Sequence, residues 1–218
     1  MAIDPESRLV LVVVPGPRDV EAVEETVGEV KRRTGGRVLD LVTSDEYPAY
    51  KTALLNAYGQ EVATTATGRR SRKMVPEKVA PAGMNYATVE KRREKGRVVE
   101  ILTRVVLGTM AGVVAALAKS SSSRRINTSF VERVNATDRH HNARKVRKTY
   151  TFSKDWSVHA AMTCFTIYSD NFCWPVRTLR EPAGEGRWRQ RTPAMAAGIA
   201  DHVWTMREWI TMPAVQQS

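Results

Sequence analysis

One acid in this chain stands where a solvated helix face does not explain it. Glu132 lies in Ile126–Lys154, INTSFVERVNATDRHHNARKVRKTYTFSK, where nine Lys or Arg between Arg124 and Lys154 face two acids, Glu132 and Asp138. If Ser129 opens a helix, Glu132 and Arg139 lie seven residues apart, two turns on, on one face. Arg133, Arg144, Arg147 and Lys148 add positive charge nearby. A carboxylate in a basic surround suits a protein that holds a divalent cation and a phosphodiester together. The cation wants hard oxygen ligands. The nucleic-acid backbone wants Lys and Arg. Ser129-Phe130-Val131-Glu132 also reads as a capping box, in which the carboxylate only satisfies a backbone N–H.

A second acid, Asp45, falls where a buried strand gives way to a helix. Functional groups gather at such strand ends in α/β sheets. The plainer alternative is that Asp45 caps the helix that Pro48 opens. Arg133, Asn135, Arg144, Lys145, Arg147, Lys148 and Lys154 are candidates for the DNA backbone, against the alternative of a solvated basic face. His140 and His141 are adjacent, point apart on a helix and make a poor metal pair. The tryptophans at 156, 174, 204 and 209 read as core rather than base-stacking platforms.

The order NTSFVERVNATDRHHNARKVRKTYTFSK resembles the glutamate block of bacterial insertion-sequence transposases of the DDE class. The matching positions are Glu132, Arg133, Asn135, Thr137 and Arg139, then Arg147-Lys148-Thr149, then Phe152-Ser153-Lys154. The likeness extends to TSDEYPAY (43–50) and TPAMAAGIADHVW (192–204), and is weaker between residues 59 and 126. The resemblance implies a ribonuclease H-like core, a mixed sheet flanked by helices, with an inserted basic β-hairpin. It gives Asp45 and Glu132 the second and third acids of the triad and makes Arg139 a phosphate- or nucleophile-positioning residue. It implies Mg2+ or Mn2+, in a two-metal site if the acids are complete, and double-stranded DNA as partner. It also implies that the first acid precedes the part of the core seen here, so an incomplete or inactive copy is expected. Asp4 matches a turn position of the family, not its catalytic aspartate. The competing function is a non-catalytic basic DNA-binding module.

Composition bounds these readings. The chain has 218 residues and a formal net charge of +11. The first 66 residues carry seven basic and eleven acidic side chains, a balance of −4; the rest carry 27 and 12, a balance of +15. The cationic excess therefore sits in the middle and C-terminal parts, and a polyanion is the expected partner. Cys164 and Cys173 share one aromatic segment without zinc-ligand spacing and read as reduced core residues. No run reaches membrane-span length, and the N-terminal residues lack signal-peptide order. A cytoplasmic, nucleoid-associated protein without a membrane partner is expected, and homo-oligomerisation is left open.

The positioning elements follow from pattern. Leu9–Val14 reads as a strand buried on both faces. Asp19–Arg33 has helical periodicity at Val20, Val23, Val27 and Val30. Arg37–Thr43 is a strand and Pro48–Tyr58 a helix. This order predicts parallel pairing of the two strands across the first helix. Residues 60–83 read as a polar, basic linker and 85–108 as a charged hairpin. Met110–Ala118 is a short apolar helix, and Trp156–Trp174 a largely buried one. The expected organisation is a core of residues 1–59 and 124–174, an insertion of 60–123, and C-terminal loops and helices over 175–218.

Overall fold

The computed structural model describes residues 1–62, 77–146 and 150–212. They form a mixed α/β protein that divides into two compact units, residues 17–128 and residues 1–16 with 129–218.

The unit of residues 17–128 is a small mixed sheet flanked by helices. Helix α1 (Val20–Arg33) begins where Asp19 accepts a hydrogen bond from the Ala22 amide, and carries Lys31, Arg32 and Arg33 in its last turn. Both features favour the helix locally: the cap satisfies an orphan donor, and the cations face the negative end of the dipole. Val23 and Val27 pack with Ala53, Leu54 and Tyr58 of α2 (Ala49–Tyr58) and with Met84 and Tyr86. Strand β3 (Leu41–Asp45) runs parallel to β6 (Asn85–Glu94), with Asp45 opposite Val89. β6 turns back through Lys95-Gly96 into β7 (Arg97–Leu107), giving the order β3-β6-β7. Helix α3 (Met110–Lys119) packs on β3 and β6. Between α2 and β6, β4 (Gln60–Val62) and β5 (Glu77–Val79) form a two-stranded ribbon at the ends of the expected linker.

The anchor of this unit is Asn85, a buried residue at the start of β6. Its amide donates to the carbonyls of Asp40 and Gly83 and accepts from the Thr109 N–H. It therefore ties the approaches to β3 and α3 to one point. Gly108, at φ +80°, and Gly112 leave room for it: a Cβ at either would lie within 2.4 Å of the Asn85 Oδ1.

In the other unit, β1 (Ala2–Ile3) and β2 (Val10–Val12) form an antiparallel ribbon. Helices α4 (Ser129–His141) and α5 (Trp156–Cys173) follow, then β8 (Glu181–Pro182), β9 (Trp188–Arg189), α6 (Pro193–Ala196) and α7 (Met206–Thr211). The Phe172 ring of α5 stacks on Trp209 at 5.3 Å and meets the Trp204 ring at a tilt, 4.7 Å away.

Three expectations are corrected here. The strands on either side of α1 do not pair with each other: β2 pairs with β1, and β3 pairs with β6. β2 is closed on its other side by a helix rather than a strand. The Val10 N–H donates to Asn171 Oδ1 and its C=O accepts from Asn171 Nδ2, each at 3.0 Å, while the Val13 N–H donates to the Tyr168 hydroxyl. Helix α5 is also not apolar on its buried side. It buries Thr163, Thr166, Ile167, Ser169 and Asn171, and leaves Trp156, Val158 and Phe165 exposed. The buried hydroxyls of Thr163 and Ser169 donate to backbone carbonyls of their own helix. Small, internally satisfied polar side chains can thus lie inside without the desolvation cost of an unpaired group. Trp156 and Trp174 are exposed, against the expectation of core positions.

Candidate functional site

Asp45 is the last residue of β3, at the carboxyl end of the parallel pair. Its backbone is pinned: the carbonyl accepts from the Tyr47 N–H at 2.8 Å and from the Ser44 hydroxyl at 2.7 Å. With that proton given away, Ser44 accepts from the Tyr86 hydroxyl, 2.8 Å away. The side chain is left open to solvent. Its Oδ2 takes a 2.7 Å ion pair from Arg18, at 53% exposure for the aspartate and 64% for the arginine. Arg18 lies over the Tyr47 ring at 5.0 Å. Burial, and next to it the charge of Asp45, pushes the Tyr50 phenol above its usual range. The Tyr86 phenol is raised by burial too. Pro48 caps α2 without any side-chain hydrogen bond, so the carboxylate of Asp45 does not cap that helix. Arg18 enters from a Pro-Gly-Pro turn with no motif of its own, so nothing in the sequence marks it, and Tyr47 and Tyr50 stand in the block 43–50 without a role of their own.

Glu132 lies in the first turn of α4, with Arg133, Asn135 and Arg139 on the same helix. Glu132, Arg133 and Arg139 are exposed, and Asn135 is half-buried. The seven-residue spacing places Glu132 and Arg139 on one face, as expected. The helix ends at His141, so the later cations do not continue its face. Arg144 and Lys145 occupy a 3₁₀ turn, Ala143–Lys145, capped by the Asn142 side chain. Arg144 reaches the Ser153 hydroxyl at 3.4 Å. Lys145 has a structural partner: its ammonium lies 2.5 Å from the carboxylate of Asp138, with only 17% and 6% of the two side chains exposed. Lys154 is exposed. Arg147 and Lys148 lie outside the described residues.

Helix α4 is held to α5 by a second pair. The His141 Nδ1 lies 3.0 Å from the Asp170 carboxylate, and the His141 ring stands 4.6 Å from Trp174. Burial raises the Asp170 carboxyl above the usual carboxylate range, and His141 pulls it back. Asp4 is committed elsewhere. Its carboxylate accepts from the Glu6 and Ser7 amides and from the Ser7 hydroxyl, closing the turn between β1 and β2. Among the described residues no three His, Cys, Asp or Glu side chains cluster to hold a metal ion. Among them, too, no helix is long and apolar enough to cross a membrane.

The chain matches no family model, and neither a curated protein nor a solved structure is detectably similar to it.

Proposed function

We propose that this chain is the core of a DDE-class insertion-sequence transposase, with a ribonuclease H-like fold, acting on double-stranded DNA. The observation that carries the reading is Asp45. It is an accessible carboxylate at the carboxyl end of a parallel strand, fixed by its backbone, with no capping role to explain it. The ordered motif from Glu132 to Lys154 supports the same assignment. Asp45 and Glu132 each offer hard oxygen donors, the donor chemistry that Mg2+ and Mn2+ prefer. A bound divalent ion would supply Lewis-acid activation of a phosphodiester and of the attacking oxygen.

The residues of the chain have their own tasks. Arg18 orients Asp45 through their ion pair, and would yield its place to a cation. Arg139, on the face of Glu132, positions a phosphate. Arg133, Asn135, Arg144, Lys154 and the two cations at 147 and 148 hold the DNA backbone, where charge gives affinity without sequence preference. Lys145 contributes less, since its charge is matched by Asp138. The first acid of the triad is not assigned to any residue here.

A thermal-shift titration with Mg2+ and Mn2+ tests the reading. A ligand at ten times its Kd stabilises the folded state by about 1.4 kcal/mol. The unaltered chain should gain this, and Asp45→Asn and Glu132→Gln should each abolish it. Equal stabilisation of all three proteins would exclude these two acids as ligands. Retained DNA binding in both variants, with no cation effect in any of the three, would favour a non-catalytic DNA-binding module.

A further inference from the structure

The sheet of the 17–128 unit ends on β7, and among the described residues no strand pairs with the outer edge of β7. This edge is long and apolar. Val98, Val99, Ile101, Leu102, Val105, Val106 and Leu107 make up seven of its eleven residues. Val99 and Ile101 are 55% and 58% exposed. Soluble proteins protect such edges, because a row of open N–H and C=O groups beside apolar side chains recruits another strand. Neither Pro nor Lys interrupts β7.

The ladder with β6 shows which part of β7 can accept a partner. The register slips near Val99 and again near Val106, and runs regularly from Glu100 opposite Arg92 to Val105 opposite Ala87. Within this regular stretch the charges are placed symmetrically. Glu100 and Arg104 lie two residues on either side of Leu102, so all three share a face. If β7 meets a second β7 antiparallel about Leu102, Glu100 of each copy falls opposite Arg104 of the other. Ile101 then falls opposite Thr103, and Leu102 opposite Leu102. Opposite charges directly across an antiparallel pair are favourable and like charges unfavourable. A one-residue slip would move Glu100 opposite Thr103 or Val105 and lose both ion pairs, so the charges also fix the register.

We propose that β7 is a self-association edge: two copies of this chain pair antiparallel along Glu100–Arg104, extending each three-stranded sheet into a shared one of six strands. The present partners of these charges do not forbid it. Glu100 meets Arg92 at 3.0 Å and Arg104 meets Glu46 at 3.3 Å, both on exposed side chains. Such exposed pairs contribute little and exchange readily. The contact is short, which puts it among weak, transient associations. The inference stands on the sheet edge and not on the DNA reading.

Charge reversal tests it on the full chain, by sedimentation velocity from about 5 to about 500 µM at low salt. The unaltered protein should associate with concentration. Glu100→Arg places four arginines across the two-fold contact and Arg104→Glu places four glutamates. Each variant alone should associate at least about tenfold more weakly. An equimolar mixture of the two should recover the association, because every cross-strand pair is then Arg against Glu. Circular dichroism of each variant confirms the fold, and recovery on mixing is itself proof that both fold. A monomer at all concentrations overturns the proposal. So do single variants that associate as well as the parent, or a mixture that stays as weak as its components.

Discussion

Replacing Asn171 by Leu removes the link between α5 and β2 with little change of volume. Asn171 is 4% exposed and its amide makes both hydrogen bonds to Val10, at 3.0 Å each. Leucine leaves a buried N–H and a buried C=O without partners. Each orphaned group costs about 1–3 kcal/mol, partly offset by the apolar surface that leucine buries. The expected net loss is about 2–4 kcal/mol, which is large against a total stability of roughly 5–15 kcal/mol. Because the chain has two units, the loss is read locally, by amide hydrogen exchange at Val10 and Val12. At 1.36 kcal/mol per decade, exchange there should accelerate about 30- to 1000-fold. Amides of β6 should not change. Asn171→Asp is the companion test. It keeps an acceptor for the Val10 N–H but sets a carboxylate against the Val10 carbonyl, so it should be worse at pH 7 than at pH 4, where the acid can donate. An acceleration below about threefold for Asn171→Leu would show that the amide is not what closes the edge of β2.

Three further outcomes follow from single sites. Lys145→Met leaves Asp138 charged, buried and unpaired, and should cost about 3–5 kcal/mol; adding Asp138→Leu should recover most of it, and a double-mutant cycle in urea that shows simple additivity would refute the pairing. Gly112→Ala should destabilise by about 1–2 kcal/mol despite alanine's better helix propensity, because its Cβ would press on the Asn85 amide; a rise in melting temperature would show that Asn85 moves aside without cost. His202 lies between Asp201 at 2.6 Å and Glu208 at 3.1 Å, and its hydrogen bonds to Asp201 and then Glu208 raise its pKa above the ordinary histidine value. A raised folded pKa means that the contribution is fully present below the unfolded value and is lost as pH climbs through the folded one. The melting temperature should therefore fall over that window above pH 6.5 in the parent and stay flatter in His202→Gln; identical profiles would refute the linkage.

Much of the local structure was legible in the residues. The valine spacing and terminal charges of α1, the Pro and Gly around α2, the alternation of the hairpin and the start of α4 at Ser129 are all short-range signals. Each depends on neighbours within a turn or across a two-residue loop, so pattern alone suffices. The face shared by Glu132 and Arg139 follows from helical geometry in the same way. The site's open questions were of another kind. Whether Asp45 caps α2 turned on one side-chain rotamer, and Arg18, 27 residues earlier, takes its carboxylate instead. Whether Lys145 was free for phosphate turned on Asp138 being buried beneath it.

Strand partnership was the part that pattern misassigned, and the reason is range. A run such as Leu9–Val14 announces that it needs hydrogen-bond partners on both edges, but not which groups supply them. β2 finds one set in β1, a few residues away, and the other in an asparagine amide 161 positions along the chain. Asn171 is one of the small polar side chains that α5 buries, while Trp156 and Phe165 of the same helix stay exposed. The amino-acid order by itself determined the helices, the hairpin and the positions of the acids along them. Only the folded chain decided which backbone groups are closed by side chains and which sheet edge no described strand covers, because both depend on residues brought together by packing.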